Sequence, residues 1–256
     1  MPQARWKDLC LDATDAQATA QFWSRALGGR RIEHRDNGDV ALRGDLPEQT
    51  VWVSRVPEAK TVKNRVHLDL VLPSVAPLLD AGAVVTREVD DGEVRWVVLA
   101  DPEGNELCAF APGDGEPSAL VVDAAAAEDI AAWWADVLGA TLRLGPDGRP
   151  RWLAEVPGLP FDVIKFVPVP EPKTVKNRWH WGVSCDDVTA LVARGARVLR
   201  GPDDEVSWHV LADPEGNEFC VFATSARRQL RGGDVTARRA VPSRGQRGTE
   251  LPEAKG

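Results

Sequence analysis

The chain has 256 residues, 43% of them hydrophobic, and a net charge of −8, a composition typical of a globular protein and not of a low-complexity chain. Its first residues, MPQARWKDL, contain no apolar stretch, so we expect no signal peptide and no membrane segment, and we predict a cytoplasmic location. The four cysteines, Cys10, Cys108, Cys185 and Cys220, form no CxxC pair and are expected to be buried thiols.

In chain order, the first 112 residues predict strands and two helices. Phe22, Trp23 and Leu27 recur at helical spacing between two strands, and Gly28 ends that helix. A basic loop, a further strand, a short helix and two strands around a DPEGNE turn complete the set. The predicted strands are DLCLDA (8–13), TVWVSRV (50–56) and VHLDLVL (66–72), and the predicted helices are DAQATAQFWSRALGG (15–29) and SVAPLLDAGA (74–83).

The same order of elements returns in the second half of the chain. KTVKNRVH at 60–67 recurs as KTVKNRWH at 173–180, and LADPEGNELCAF at 99–110 recurs as LADPEGNEFCVF at 211–222. The offsets of 113 and 112 residues are nearly constant, which indicates a duplicated domain. We therefore predict domains over 1–112 and 117–224.

The remaining segment, residues 225–256, has a different charge from the rest of the chain. It contains 8 Lys/Arg and 3 Asp/Glu, a net charge of +5, which leaves −13 on residues 1–224. Without periodicity and rich in Gly, Pro and Arg, it is predicted to be a disordered basic tail. Its arginines suit a nucleic-acid contact, but the acidic remainder would repel phosphate, so we expect no nucleic-acid partner.

The FW…LGG and WW…LGA helix ends, the KNRVHLDL and KNRWHWGV strands and the two DPEGNE turns resemble the vicinal oxygen chelate superfamily, in its glyoxalase/bleomycin-resistance/dioxygenase branch. The resemblance covers residues 6–112 and 117–224. It implies an α+β fold of two tandem glyoxalase-like domains, each made of two βαβββ modules whose mostly antiparallel sheet curves into a cup. Members of this family include enzymes and antibiotic binders, so the resemblance alone does not assign a function.

The enzymes of this family generally hold a divalent metal in the cup, with His and Glu ligands. Carried onto this sequence, the ligand positions are Asp8, His67 and Cys108 in the first copy and Ala119, His180 and Cys220 in the second, with a further position near Val53 or Ser54 and near Ile164 or Lys165. Cysteines replace the glutamates, and thiolates select zinc or copper over magnesium or manganese. We therefore predict no obligatory metal or other cofactor, with Asp8, His67 and Cys108 as the candidates if one binds.

His67 and Asp69 alternate with the leucines of VHLDLVL, so both side chains are expected on the face that lines the cup. A His–Asp pair can orient a ligand or act as a general base, which makes His67, Asp69 and His180 the candidate catalytic residues. A structural role for the two histidines is the alternative.

Two groups of residues are candidates for ligand binding. Indole rings in an acidic cup suit a flat or cationic molecule, and Trp52, Trp152, Trp179 and Trp181 have no aromatic counterpart in the other copy. The KTVKNR loops are either a rim that binds anions or a connector that pairs with acidic residues of the other domain. Their charged candidates are Lys63, Arg65, Lys176 and Arg178.

Taken together, the sequence predicts a protein that binds a small aromatic or cationic metabolite or antibiotic without an obligatory metal. The alternative is a lyase, isomerase or dioxygenase that uses a metal or the His67–Asp69 pair. The duplicated copies could form an internal pseudo-dimer, so we expect either a monomer or a homodimer with no membrane partner.

Overall fold

The structure, a computed structural model, describes residues 2–224, and the predicted basic tail lies outside the described residues. Within this range there are sixteen strands and four α-helices. The strands are β1 Ala4–Ala13, β2 Arg31–His34, β3 Val40–Arg43, β4 Val51–Arg55, β5 Val66–Val71, β6 Val84–Asp90, β7 Arg95–Ala100, β8 Glu106–Phe110, β9 Ala119–Ala124, β10 Thr141–Leu144, β11 Pro150–Ala154, β12 Val163–Pro168, β13 Trp179–Cys185, β14 Arg197–Arg200, β15 His209–Ala212 and β16 Glu218–Ala223. The helices are α1 Ala16–Ala26, α2 Ala76–Leu79, α3 Ala127–Leu138 and α4 Val188–Ala193.

The strands form two eight-stranded sheets. The first sheet has the order β14-β15-β16-β13-β1-β4-β3-β2, and the second has the order β10-β11-β12-β9-β5-β8-β7-β6. In each sheet five of the seven neighbouring strand pairs are antiparallel, and the other two are parallel. The predicted α+β class with mostly antiparallel, cup-shaped sheets is confirmed.

Each sheet combines modules from both copies of the repeat. β1 pairs with β13 at the centre of the first sheet, and β5 pairs with β9 at the centre of the second. The first sheet is therefore formed by the first module of the first copy, β1–β4, and the last module of the second copy, β13–β16. The second sheet is formed by the two middle modules, β5–β8 and β9–β12. The repeat predicts the modules themselves, whereas their partners depend on long-range pairing that the sequence pattern does not specify.

The two sheets share one hydrophobic core. Alternate residues of the central strands, such as Leu9 and Leu68, are fully buried in it together with the helix residues Trp23 and Trp134. The face of each sheet opposite this core is here called its open face. Within residues 2–224, no helix is long and apolar enough to cross a membrane.

The helices begin and end largely where the sequence indicates. Asp15 accepts hydrogen bonds from the backbone N–H groups of Gln17 and Ala18 at the start of α1. Gly139 ends α3 at φ 66°, in the left-handed conformation that favours glycine. The second helix is shorter than predicted, because only 76–79 of residues 74–83 are helical.

Candidate functional site

The second sheet carries a polar cluster at the centre of its open face. Leu68 and Leu70 of β5 point into the core. His67 and Asp69 alternate with them along the strand, so both lie on the open face. Strand register brings in the other members, because Asp69 lies opposite Cys108, and His67 lies opposite Val121, which in turn is opposite Lys165. The second open face is defined by His67, Asp69, Cys108, Trp152 and Lys165.

A lysine from the second copy lies between two carboxylates of this cluster. The Lys165 Nζ atom is 3.1 Å from Asp69 Oδ2 and 2.7 Å from Glu116 Oε2. The His67 Nε2 atom is 3.5 Å from Asp69 Oδ1. Burial alone would raise the pKa of Asp69, but its interactions with His67 and Lys165 outweigh burial and hold the pKa below its usual value. Asp69 therefore stays a carboxylate and holds both partners.

Aromatic rings surround this polar cluster. The Lys165 ammonium lies over the rings of Trp152 and Phe110, 4.9 and 5.6 Å from their centroids. Phe110 also stacks on Trp96, with ring centroids 5.7 Å apart and an interplanar angle of 25°. A groove of about 1050 Å³, lined in part by Trp96, Phe110 and Arg95, lies beside this stack. The second open face thus combines charged groups with apolar, planar surfaces.

The first sheet has a related open face with different chemistry. It is defined by Asp8, Cys10, Trp52, His180 and Cys220, which strand register places on the side opposite the core. The Trp52 indole N–H donates to Asp8 at 3.0 Å, and Lys7 forms an ion pair with the same carboxylate. Where the second sheet has Lys165 beside the cluster, the first sheet has an indole.

Cations and rings also meet at the margins of the first open face. The Arg43 guanidinium lies 4.7 Å from the Trp52 ring centroid, and the Lys7 ammonium lies 3.7 Å from that of Phe222. Phe222 is in contact with Trp208, with ring centroids 5.5 Å apart. The aromatic surfaces of both open faces are therefore already in contact with cations of the protein itself.

A family model described as the glyoxalase-like domain matches residues 8–110 and again residues 119–222. The chain belongs to the glyoxalase-like family. This confirms the predicted resemblance, and the two matches follow the two copies of the repeat. A comparison with curated proteins gives no match.

Solved structures show the same fold in tandem form. Glyoxalase I from Zea mays is similar with a TM-score of 0.60 and 15% identity, covering 89% of this chain and 95% of that one. A putative dioxygenase from Bacillus subtilis has a TM-score of 0.57 and 12% identity, covering 86% of this chain and 85% of that one. At this level of identity the likeness shows the fold alone.

A divalent metal, implied by the family, does not fit the second open face of this glyoxalase-like protein. The ligand atoms of His67, Asp69 and Cys108 do lie within 4.8 Å of one another. However, the Lys165 ammonium is already bound to Asp69, and a fixed positive charge beside the ligands repels a cation. Burial, together with neighbouring Asp69, raises the pKa of Cys108, so its thiol is not the thiolate that binds metal.

The predicted metal group of Asp8, His67 and Cys108 is not brought together. Asp8 lies on β1 of the first sheet, whereas the other two residues lie on the second sheet, because each sheet draws its modules from both copies. Among the residues that the structure describes, His67, Asp69 and Cys108 are the one group of side chains close enough to hold a metal ion together. The first open face has no such group among these residues.

Two of the predicted ligand-binding tryptophans are core residues, which corrects that prediction. Trp179 and Trp181 are 0% and 1% exposed. Trp179 packs edge to face on Trp23, and Trp181 does so on Trp134, with ring centroids 4.7 and 5.0 Å apart. Because successive side chains of a strand point to opposite faces, His180 between them lies on the open face.

The basic KTVKNR loops connect the two copies. Lys63 pairs with Asp123 at 2.5 Å, and Lys176 pairs with Asp12, each across the repeat. These charges are therefore largely neutralised within the protein. Lys63 and Lys176 keep 62% and 59% of their side-chain surface exposed.

The loop arginines also reach the other copy. Arg178 binds Glu103 at 2.7 Å, and Arg65 donates to the carbonyl oxygen of Glu171 at 2.8 Å. The two loops line a cavity of about 870 Å³ that is separate from His67 and His180. This arrangement favours the connector interpretation over the anion-binding rim.

The DPEGNE turns have a structural role. Asp101 accepts hydrogen bonds from the backbone N–H groups of Glu103 and Asn105 and from the Trp23 indole. Asp213 makes the corresponding contact with Trp134 in the second copy. The repeated turn therefore ties each last strand to its first helix.

Sequence reasoning did not single out several residues of the open faces. Trp96 and Trp208 are half-buried and pack against Phe110 and Phe222 beside the open faces. Lys165 was placed only as one of two candidates for a metal position. Lys165 lies between the core residues Ile164 and Phe166, so strand alternation places its side chain on the open face. This pattern in the sequence could have identified it.

Proposed function

We propose that this glyoxalase-like protein binds a small, uncharged aromatic metabolite or antibiotic on its second open face and needs no metal to do so. The observation that carries the proposal is the position of Lys165, which supplies a fixed positive charge between Asp69 and Glu116 where the family resemblance would place a metal ligand. Half-buried Trp152 and the Trp96–Phe110 stack offer planar apolar surface around that charge. Planar surfaces with few polar groups are typical of small-molecule sites.

The existing cation–π contacts favour an aromatic ligand over a cationic one. A cationic ligand would have to displace Lys165 from Trp152 and Phe110, at the expense of contacts that the protein already has. An aromatic ligand can instead contact ring edges and apolar side chains.

Hydrogen-bond donors are also available to an oxygen of the ligand. An ammonium has three N–H donors, and Asp69 and Glu116 account for two of those of Lys165. A phenol or carbonyl oxygen on the ligand can accept a hydrogen bond from the third.

Thermal-shift measurements with 2-naphthol and 2-naphthylmethylammonium test this proposal. We expect 2-naphthol to raise the melting temperature and the ammonium compound to raise it less. Trp152→Leu should remove the effect of 2-naphthol, whereas Trp133→Leu should keep it, because Trp133 packs on Trp134 on the core side. A larger shift with the ammonium compound, or an unchanged shift in Trp152→Leu, would overturn the proposal.

An acid–base enzyme is the second candidate, and the His67–Asp69 contact favours it. A carboxylate beside an imidazole orients the ring, as general base catalysis requires. The test follows deuterium incorporation at the α-carbon of 2-acetylnaphthalene in D2O by NMR. An enzyme should accelerate the exchange, and His67→Gln should abolish the acceleration; equal rates with and without protein would exclude this chemistry for that ketone.

We further propose that the protein acts in the cytoplasm, where its four free cysteines would remain reduced, and that its two copies serve as an internal pseudo-dimer. The exchange of modules between sheets supports the second point, because each open face is already complete within one chain.

A further inference from the structure

The two KTVKNR loops line a cavity that is separate from both open faces. Its volume of about 870 Å³ is within the range of about 300–1,000 Å³ that is typical of small-molecule sites. Equivalent residues of the two copies line it, so Val62 and Arg65 are matched by Val175 and Arg178. None of the residues that define the open faces lines this cavity, so a ligand there would occupy a second, independent site.

One of the five cationic side chains that line the cavity differs from the others. Four of them each form an ion pair with a carboxylate of the protein, and the pairs are Lys60–Glu106, Lys63–Asp123, Lys176–Asp12 and Arg178–Glu103. The fifth, Arg65, has no ion pair within residues 2–224. It donates from Nη1 to the backbone carbonyl oxygen of Glu171 at 2.8 Å, which fixes the guanidinium and leaves N–H donors on both Nη atoms.

The difference between the two loop arginines follows from the glutamates of the DPEGNE turns. Glu103 accepts hydrogen bonds from backbone N–H groups just before α1 and also pairs with Arg178. Its counterpart Glu215 accepts the equivalent bonds just before α3 but forms no ion pair among the described residues. Arg65 is therefore half-buried without a carboxylate partner, and its charge can attract an anionic group of a ligand.

The cavity also has negative charges without a partner. The backbone carbonyls of Glu58 and Glu171 accept hydrogen bonds from the loop arginines of the other copy, at 2.8 Å in each case. Their side-chain carboxylates line the cavity and form no ion pair or hydrogen bond in the part of the chain that the structure describes. A simple anion would be attracted to Arg65 but repelled by these carboxylates, whereas a molecule with both charges can satisfy both.

Apolar side chains complete the lining. Val62 and Val175, one from each loop, are 46% and 41% exposed, and Val56 and Val169 also line the cavity. An apolar group of a ligand that covers these side chains removes their surface from water, which favours binding. The cavity therefore offers three kinds of contact: one free guanidinium, two free carboxylates and an apolar wall.

We propose that the cavity between the KTVKNR loops binds a small α-amino acid with an apolar side chain. Arg65 binds the α-carboxylate through charge-assisted hydrogen bonds, and the α-ammonium lies towards the carboxylates of Glu58 and Glu171. The side chain of the amino acid contacts the valines. The loops thus keep their role as connectors of the two copies, because the ion pairs of the other four cations stay intact.

A comparison of L-leucine with two truncated analogues tests this proposal on the full chain. 4-Methylpentanoate is leucine without its ammonium group, and 3-methylbutylamine is leucine without its carboxylate. In NMR titrations, leucine should bind about tenfold or more tightly than either analogue and shift the signals of residues 60–65 and 173–178. Leucine that does not bind, that binds no more tightly than an analogue, or that instead shifts the signals around Lys165 would overturn the proposal.

Two variants separate the role of Arg65 from a general effect on the cavity. Arg65→Gln should weaken leucine binding by about tenfold or more but leave that of 3-methylbutylamine unchanged, since the amine has no carboxylate. Arg5→Gln, at an exposed arginine of β1 that does not line the cavity, should leave the binding of both molecules unchanged. An equal loss for leucine and the amine in Arg65→Gln would contradict the assignment of Arg65 to the carboxylate. If this variant does not fold, the comparison of the three ligands on the wild-type chain still decides the proposal.

Discussion

At the scale of single residues, equivalent positions of the two copies carry different chemistry because their neighbours come from the other copy. His67 was expected to face away from the leucines of its strand, and it lies on the open face. Its surroundings were not predictable, because Lys165 reaches Asp69 through the pairing of β9 with β5, far apart in sequence. Local alternation gives the direction of a side chain, but not its partner.

Asp69→Asn should destabilise the protein at neutral pH by about 1.5–3 kcal/mol, because it weakens the hydrogen bond to the Lys165 ammonium. The folded-state pKa of Asp69 lies below its unfolded value, so its contribution is fully present above the unfolded pKa of about 4 and is lost as pH falls through the lower folded pKa. Urea unfolding at several pH values should therefore show the difference from wild type shrinking below pH of about 4. A difference that grows on acidification would contradict this assignment.

At the scale of elements, hydrophobic alternation predicted the central strands β1 and β5. In WHWGVSC it places both tryptophans on one face and His180 on the other, so the core position of Trp179 and Trp181 could have been predicted. The basic loops are a different case. The sequence shows their repetition, but only the structure shows that each loop pairs with the other copy.

The two equivalent loop arginines should differ in their contribution to stability. Arg178 forms an ion pair with Glu103 in which both side chains are nearly buried, whereas Arg65 donates only to a carbonyl oxygen. We expect Arg178→Ala to cost about 1.5–3 kcal/mol, because Glu103 loses its charged partner but keeps its hydrogen bonds from Thr14 and Asp15. Arg65→Ala, the matched control, should cost about 1 kcal/mol. Equal losses of unfolding free energy for the two variants in urea would show that the Arg178–Glu103 ion pair contributes no additional stability.

At the scale of the whole molecule, the duplication and the family predicted two domains and a cup-shaped sheet. The exchange of modules was not predictable, since four similar modules can pair in more than one way and the repeat pattern is the same in each. The consequence is that neither copy contains a complete sheet.

Cleavage between the copies should therefore leave the halves associated. A protease site inserted after Gly113, in the exposed loop between β8 and β9, would cut the chain without touching either sheet. We expect the nicked protein to elute from a sizing column at the position of the uncut protein carrying the same insertion. Separation into two folded halves would contradict the arrangement of the central strand pairs β1–β13 and β5–β9.

The central claim is that Lys165 and the surrounding rings bind an aromatic molecule without a metal. A titration with 2-naphthol followed by NMR, on protein treated with a chelator, tests it most directly. We predict that binding persists after chelation, that Lys165→Met weakens it by about tenfold or more, and that Lys165→Arg largely retains it. Binding that appears only after a divalent cation is added, and that is indifferent to Lys165→Met, would contradict the claim.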